Sequence, residues 1–386
     1  MFERLVKEKI IASFKKFPII GICGPRQSGK TTLAKQAFKD LDYVNLEDLS
    51  LRELVQQDPK SFLNKYKNGL IIDEIQYVPE LFSYLQIYSD ERDKPGQYVI
   101  TGSQYFLLNE KIAQSLAGRI SVFNLLPLSY YEIKEQLPQT IDIQSLIFKG
   151  FYPRLYRYEI DPYEFYSNYL QTYVEKDVRQ IQNISDLSLF QKFIRLCAGR
   201  VGQLLNISSL AIDCGISNMT AKTWLHILEA SYVVYLLKPY YSNFNKRIIK
   251  SPKLYFYDTG LASCLLDIKS PDQLQTHYAR GALFENYVLL EMVKHKLNHG
   301  LRPDLFFLHN KTGQEVDIVC EKSNQLQLIE VKASSTMSAS FLKNITYWTQ
   351  VIKNAKGFLI YNGTDLTGGE FKGTSILNWK NLYDAM

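Results

Sequence analysis

Residues 2–16 set Phe2, Leu5, Val6 and Ile10 on one side and lysines on the other, which predicts a short amphipathic helix. An unbroken apolar run of strand type follows at 18–23, then a loop at 24–30 and a helix at 31–38. Residues 69–74 and 97–103 give two further apolar runs, the first ending in acids. Continuous apolar strands separated by helical stretches predict a parallel sheet covered on both faces. After about residue 125 the pattern becomes largely helical and rich in Tyr, with a compact helix–turn–helix pattern near 200–235. From about 280 it is α/β again, with a helix at 282–296 and strands near 305–308, 315–320 and 326–331. The predicted fold class is α/β, and the predicted division is 1–135, 136–265 and 266–386.

Composition narrows the setting. The five cysteines are far apart and form no C-x-x-C pair, which argues against a disulfide framework or structural zinc. The N-terminus alternates charges in place of a signal-peptide apolar core, and no uncharged stretch approaches a membrane span. A cytoplasmic protein with no membrane partner is expected. The net charge of +6 permits nucleic-acid binding without arguing for it, because the excess can be spread over the surface.

The segment Gly24, Pro25, Arg26, Gln27, Ser28, Gly29, Lys30, Thr31 fits G-x-x-x-x-G-K-[ST] at every fixed position, between a predicted strand and a predicted helix. Its glycines let backbone N–H groups wrap phosphates, and the helix start points its positive dipole end at them. Lys30 is expected to reach the β- and γ-phosphates of ATP, Thr31 to bind Mg²⁺, and Thr32 to add a hydroxyl. Asp73 and Glu74 close the second apolar run: Asp73 is the expected Mg²⁺ partner and Glu74 the group that polarises the attacking water. Ser103 ends the third run, where a γ-phosphate sensor would sit. Arg119 is either a phosphate-reading arginine or a surface salt-bridge residue.

Around 208–224, Leu210 and Ala211 face inward, Gly215 makes the turn and Ser217 caps a second helix. Leu225, Leu228 and Val233 continue the apolar face. A hairpin is expected next, with Lys238, Lys246, Arg247, Lys250 and Lys253 clustered on it, the layout of a winged helix. The module either contacts DNA or serves as a rigid packing and protein-contact unit.

Near the C-terminus, Glu285 in a helix, Asp317 in a strand, and Glu330 and Lys332 at a strand end recur in the order of a D-x(n)-E-x-K motif. Asp317 and Glu330 could share one divalent ion, Mg²⁺ or Mn²⁺, with Lys332 stabilising charge or orienting water. The set is either a live phosphodiester-cleaving centre or a nuclease-like fold with dormant charges. His295 and His299, four apart at a Lys-rich helix end, lack the Glu of H-E-x-x-H and are read as a solvated pair.

These motifs together, with Thr101-Gly-Ser, Leu116-Ala-Gly-Arg, Tyr173, Asp177 and Asp258, resemble a prokaryotic AAA-type ATPase family with a C-terminal domain of unknown function. The resemblance implies an AAA-type P-loop core, a winged helix, and a PD-(D/E)xK restriction-endonuclease-like terminal domain. The expected catalytic set is Glu74, Lys30, Arg119, Glu285, Asp317, Glu330 and Lys332. The expected activity is ATP hydrolysis coupled to a DNA-facing module, and a protein partner or homo-oligomer is also admitted. Tyr173, Asp177 and Asp258 are read as structural hydrogen-bonding residues.

Overall fold

The computed structural model describes residues 2–102, 116–174, 186–240 and 250–386. Ser103, Asp177, Lys246 and Arg247 lie outside the described residues, and so does the side chain of Tyr173.

The first sheet has the order β2-β3-β4-β1-β5, built from β1 (Ile19–Cys23), β2 (Asp42–Asn45), β3 (Leu70–Asp73), β4 (Tyr98–Gly102) and β5 (Ile120–Asn124). Every pairing in it is parallel. Its strands β1, β3 and β4 are buried along their whole length, as strands covered on both faces must be. Chain order reverses about β1, so the loops leaving the carboxyl ends of β1 and β3 border one crevice. The N-terminal helix runs Lys7–Phe14, shorter than the pattern predicted. Val6 and Ile10 do pack into the sheet core, while Arg4 is held by Ser28 O and Leu126 O.

Most of the rest of the chain shares one large core running from Leu126 to Ala385, with two smaller clusters, around Trp348 and around Leu359, on the C-terminal sheet. Its sheet has eight strands in the order β12-β13-β11-β10-β9-β8-β6-β7. These are β6 (Val234–Pro239), β7 (Lys253–Phe256), β8 (Leu305–His309), β9 (Glu315–Lys322), β10 (Gln325–Lys332), β11 (Ala355–Tyr361), β12 (Glu370–Phe371) and β13 (Thr374–Asn378).

The helix–turn–helix forms as the sequence predicts. Helix Ile207–Cys214 is capped by Asn206, Gly215 takes a left-handed φ of 84°, and Ser217 caps helix Asn218–Ala230. Leu210, Ala211, Leu225, Leu228 and Val233 are buried. The hairpin after it differs from the expectation. β6 and β7 pair antiparallel, but β6 also pairs in parallel with β8 at Lys238–Phe306 and Pro239–Phe307. The hairpin is therefore the end of the large sheet, and the sheet crosses the division at 265/266. Lys253, expected as an exposed wing cation, is only 3% exposed, whereas Lys238 and Lys250 are exposed.

Candidate functional site

The crevice at the end of β1 gathers most of the predicted nucleotide residues. Gly24 has φ 151°, and a Cβ there would lie 2.1 Å from Leu125 O, so only glycine fits. Gln27 (φ 62°) and Gly29 (φ 97°) also adopt left-handed backbone, which turns successive N–H groups inward as in an anion nest. Helix Lys30–Ala37 starts directly after Gly29. The buried Oγ of Ser28 has no protein hydrogen-bond partner, an orphan of the kind a bound phosphate would satisfy.

Lys30 is buried, and its Nζ donates to Gly24 O (3.0 Å) and Pro25 O (2.9 Å). Burial lowers its pKa, against the opposing pull of Glu74 and Asp73. Across the crevice, Thr31 Oγ1 donates to Asp73 Oδ2 at 2.7 Å, and Tyr43 OH donates to the same oxygen at 2.8 Å. Thr101 Oγ1 donates to Asp73 Oδ1 and accepts from Glu74 N at 3.3 Å. A hydroxyl and a carboxylate held this close form the hard-oxygen pair that Mg²⁺ prefers, so the residues fit that ion. Glu74 holds φ 55°, an uncommon conformation for a non-glycine residue, and its carboxylate accepts from Gln76 Nε2.

The cleft is about 710 Å³ and is lined by Arg26 through Thr32, Glu47 and Glu74, and also by residues from far down the chain. Arg154, Tyr156, Arg157 and Tyr158 are among these, from helix Pro153–Arg157 and the residue after it. Sequence reasoning missed them. Two arginines three apart behind a helix-starting Pro153 put both cations on one face, but nothing local says which crevice they meet. Arg4 was missed too. It is buried, with Nη1 to Ser28 O at 2.8 Å, Nη2 to Leu126 O at 2.7 Å and Nε to Glu132 at 2.9 Å. It ties the phosphate loop to the start of the second half.

Arg119 is not brought to this site. Ile19 N donates to Arg119 O at 3.1 Å, at the amino end of β1 and β5, opposite the crevice. Its guanidinium pairs with Asp90, with Nη2 to Oδ2 at 2.9 Å. The salt-bridge reading describes its position.

The C-terminal set is also gathered, with one addition. Asp317 Oδ2 accepts from Val331 N at 2.8 Å and lies 4.0 Å from Lys332, which pairs with Glu330 at 2.7 Å. Glu285 Oε1 accepts from Tyr255 OH and from Lys253 Nζ, the latter at 3.1 Å. Burial raises the Glu285 pKa to about 7 against the pull of Lys253, and raises Glu330 to about 8 with Asp317 adding to the shift. Among the described residues no group of three His, Cys, Asp or Glu side chains is arranged to hold a metal. The addition is Lys253, which pairs with Glu285, Glu315 and Asp317.

The rings of His295 and His299 lie 4.3 Å apart, tilted by 41°, with His299 Nδ1 on His295 O and His295 also against Tyr383 at 4.2 Å. His299 is exposed and His295 half-buried. Asp258 is structural: buried, it caps a helix by accepting from Gly260 N and Leu261 N, and it also accepts from Phe151 N at 2.8 Å.

Fold and site together are those of a P-loop nucleotide-binding domain at the N-terminus, and residues 16–134 match the model of an AAA domain. Residues 140–272 and 280–381 match two domains of unknown function (DUF8612 and DUF4143). The chain is similar to an uncharacterised protein of Mycobacterium tuberculosis, 28% identical over 84% of this chain and 72% of the relative. It is also similar to one of Haemophilus influenzae, 25% identical over 90% and 91%. Among solved structures it is similar to a Walker-type ATPase of Pyrococcus abyssi, with TM-score 0.49, 14% identity and coverage of 69% of this chain and 96% of that one. Among the described residues no helix is long and apolar enough to cross a membrane.

Proposed function

We propose that the protein is a Mg²⁺-dependent ATP hydrolase in which the second half of the chain senses the nucleotide. The observation that carries this reading is the shared cleft. The phosphate loop lines it, and so does helix Pro153–Arg157, which is rooted in the second core through Leu155. ATP seated on the loop would turn its phosphates toward Arg154 and Arg157, and loss of the γ-phosphate would loosen that bridge.

In the reaction, water attacks the γ-phosphorus, the bond to the β–γ bridging oxygen breaks, and ADP leaves with phosphate. Glu74 orients the water and takes its proton, while Lys30 neutralises charge on the β- and γ-oxygens. Thr31 and Asp73 would hold Mg²⁺, which supplies further charge neutralisation at those oxygens.

The output module is read as a winged helix fused to a nuclease-like α/β sheet. DNA is the partner that its helix–turn–helix geometry and the exposed Lys222, Lys238 and Lys250 favour. A second reading, protein contact, is favoured by Ile212 and Met219, which are 78% and 73% exposed on the same two helices. Hydrogen exchange tests the coupling. A non-hydrolysable ATP analogue should protect residues 150–158 as well as 24–37, and ADP should protect only the latter. Protection confined to 24–37 in both states would sink it. Duplex DNA added to the same protein separates the two partners: a salt-dependent complex supports DNA, and none at low salt supports protein.

A further inference from the structure

Lys253 opens β7, Glu285 lies in helix Arg280–Asn298, and Glu315 and Asp317 open β9. The sheet and helix bring all four together. Lys253 Nζ lies 3.1 Å from Glu285 Oε1 and 3.8 Å from Asp317 Oδ1, and it pairs with Glu315. Its side chain is 4% exposed. Both oxygens of Asp317 are thereby engaged, Oδ1 by Lys253 and Oδ2 by Val331 N.

A divalent ion needs oxygens at about 2.0–2.6 Å and a clear centre. It cannot share these oxygens with an ammonium that sits among them, because the two cations would repel at close range in a site with little water. Nor can the ammonium leave at small cost. It is buried, β7 is hydrogen-bonded to β6, and stripping a buried charge of its partners is strongly unfavourable. We infer that Lys253 is the built-in cation of this centre, that it excludes Mg²⁺ and Mn²⁺, and that the acidic set anchors the β6–β7 hairpin. The nuclease-like half is then a binding and assembly unit that does not cleave by a metal route. This is independent of the ATP reading, since none of these residues lines the nucleotide cleft.

The test is Mn²⁺ titration of the full chain without nucleotide, with bound ion counted by electron paramagnetic resonance. Four proteins are compared: wild type, Asp317→Asn, Lys253→Met and Lys253→Met with Asp317→Asn. Wild type and Asp317→Asn should bind equally. Lys253→Met should gain one ion on Asp317 and Glu330, with water completing its shell, since the buried Oε2 of Glu330 has no hydrogen-bond partner, and the double variant should lose it. An extra ion in wild type over Asp317→Asn would overturn the inference, and so would a folded Lys253→Met that gains none. Should Lys253→Met fail to fold, the comparison of wild type with Asp317→Asn decides alone, with Glu330→Gln as a second partner.

Discussion

Thr31 donates its hydroxyl to Asp73 across 2.7 Å, joining two segments 42 residues apart in the chain. The contact exists because β3 and β1 flank β4 in one parallel sheet, so the loops at their carboxyl ends meet. Tyr43 and Thr101 add two more hydroxyls to the same carboxylate. Asp73 is thus held in one orientation, which an ion-binding carboxylate requires, and Glu74 next to it lines the cleft.

Glu74→Gln keeps the shape and removes the base. Steady-state phosphate release should fall by about 10²–10⁴-fold, the range for loss of general-base catalysis, with ATP affinity retained. Equal loss of affinity and turnover would point to a binding role instead.

Arg4 and Glu132 are a buried pair, with side chains 6% and 0% exposed. Arg4→Met leaves the buried Glu132 carboxylate without its cation, with only Leu5 N and Ser129 still donating to it, and takes the guanidinium from Ser28 O and Leu126 O. Urea unfolding should show a loss of about 3–5 kcal/mol, the cost of breaking such a pair. The KM for ATP should rise as well, because the loop loses its brace. Unchanged stability would contradict this account of the N-terminus.

Arg154 and Arg157 line the same cleft as the phosphate loop. Each changed to Ala should raise the KM for ATP by roughly 10-fold, as expected for loss of one charge-assisted hydrogen bond. Binding of adenosine, which has no phosphate, should be unaffected. Wild-type KM in both variants would remove the helix from the site.

His295 is held neutral in the fold: burial first, then His299, Lys296 and Lys322, lowers its pKa from 6.5 to about 4. Between those values the unfolded chain binds more protons than the folded one, so stability is lost as pH falls from about 6.5 towards 4. His295→Gln should flatten the dependence of urea midpoint on pH over that window. An unchanged slope would show that other groups set it.

The sequence made the phosphate loop and the acids of β3 legible because their chemistry is tied to fixed local spacing. The helix–turn–helix was legible for the same reason, through Gly215 and Ser217. What it hid is long-range. Lys253 looks like any surface lysine of a hairpin, and only the pairing of β6 with β8 turns it toward Glu285, which lies 32 residues further on. Arg154 and Arg157 read as a solvated face until the second core places them over the loop. Arg119 has the residue type of a phosphate reader, but its register at the amino end of β5 puts it on the wrong side of the sheet.

The central claim is tested most directly by measuring ATP turnover of the full chain in Mg²⁺ beside Lys30→Ala. Wild type should release phosphate and Lys30→Ala should release none above background, with the variant's circular dichroism unchanged. Turnover retained in a folded Lys30→Ala would contradict the assignment of the crevice as the site of ATP hydrolysis.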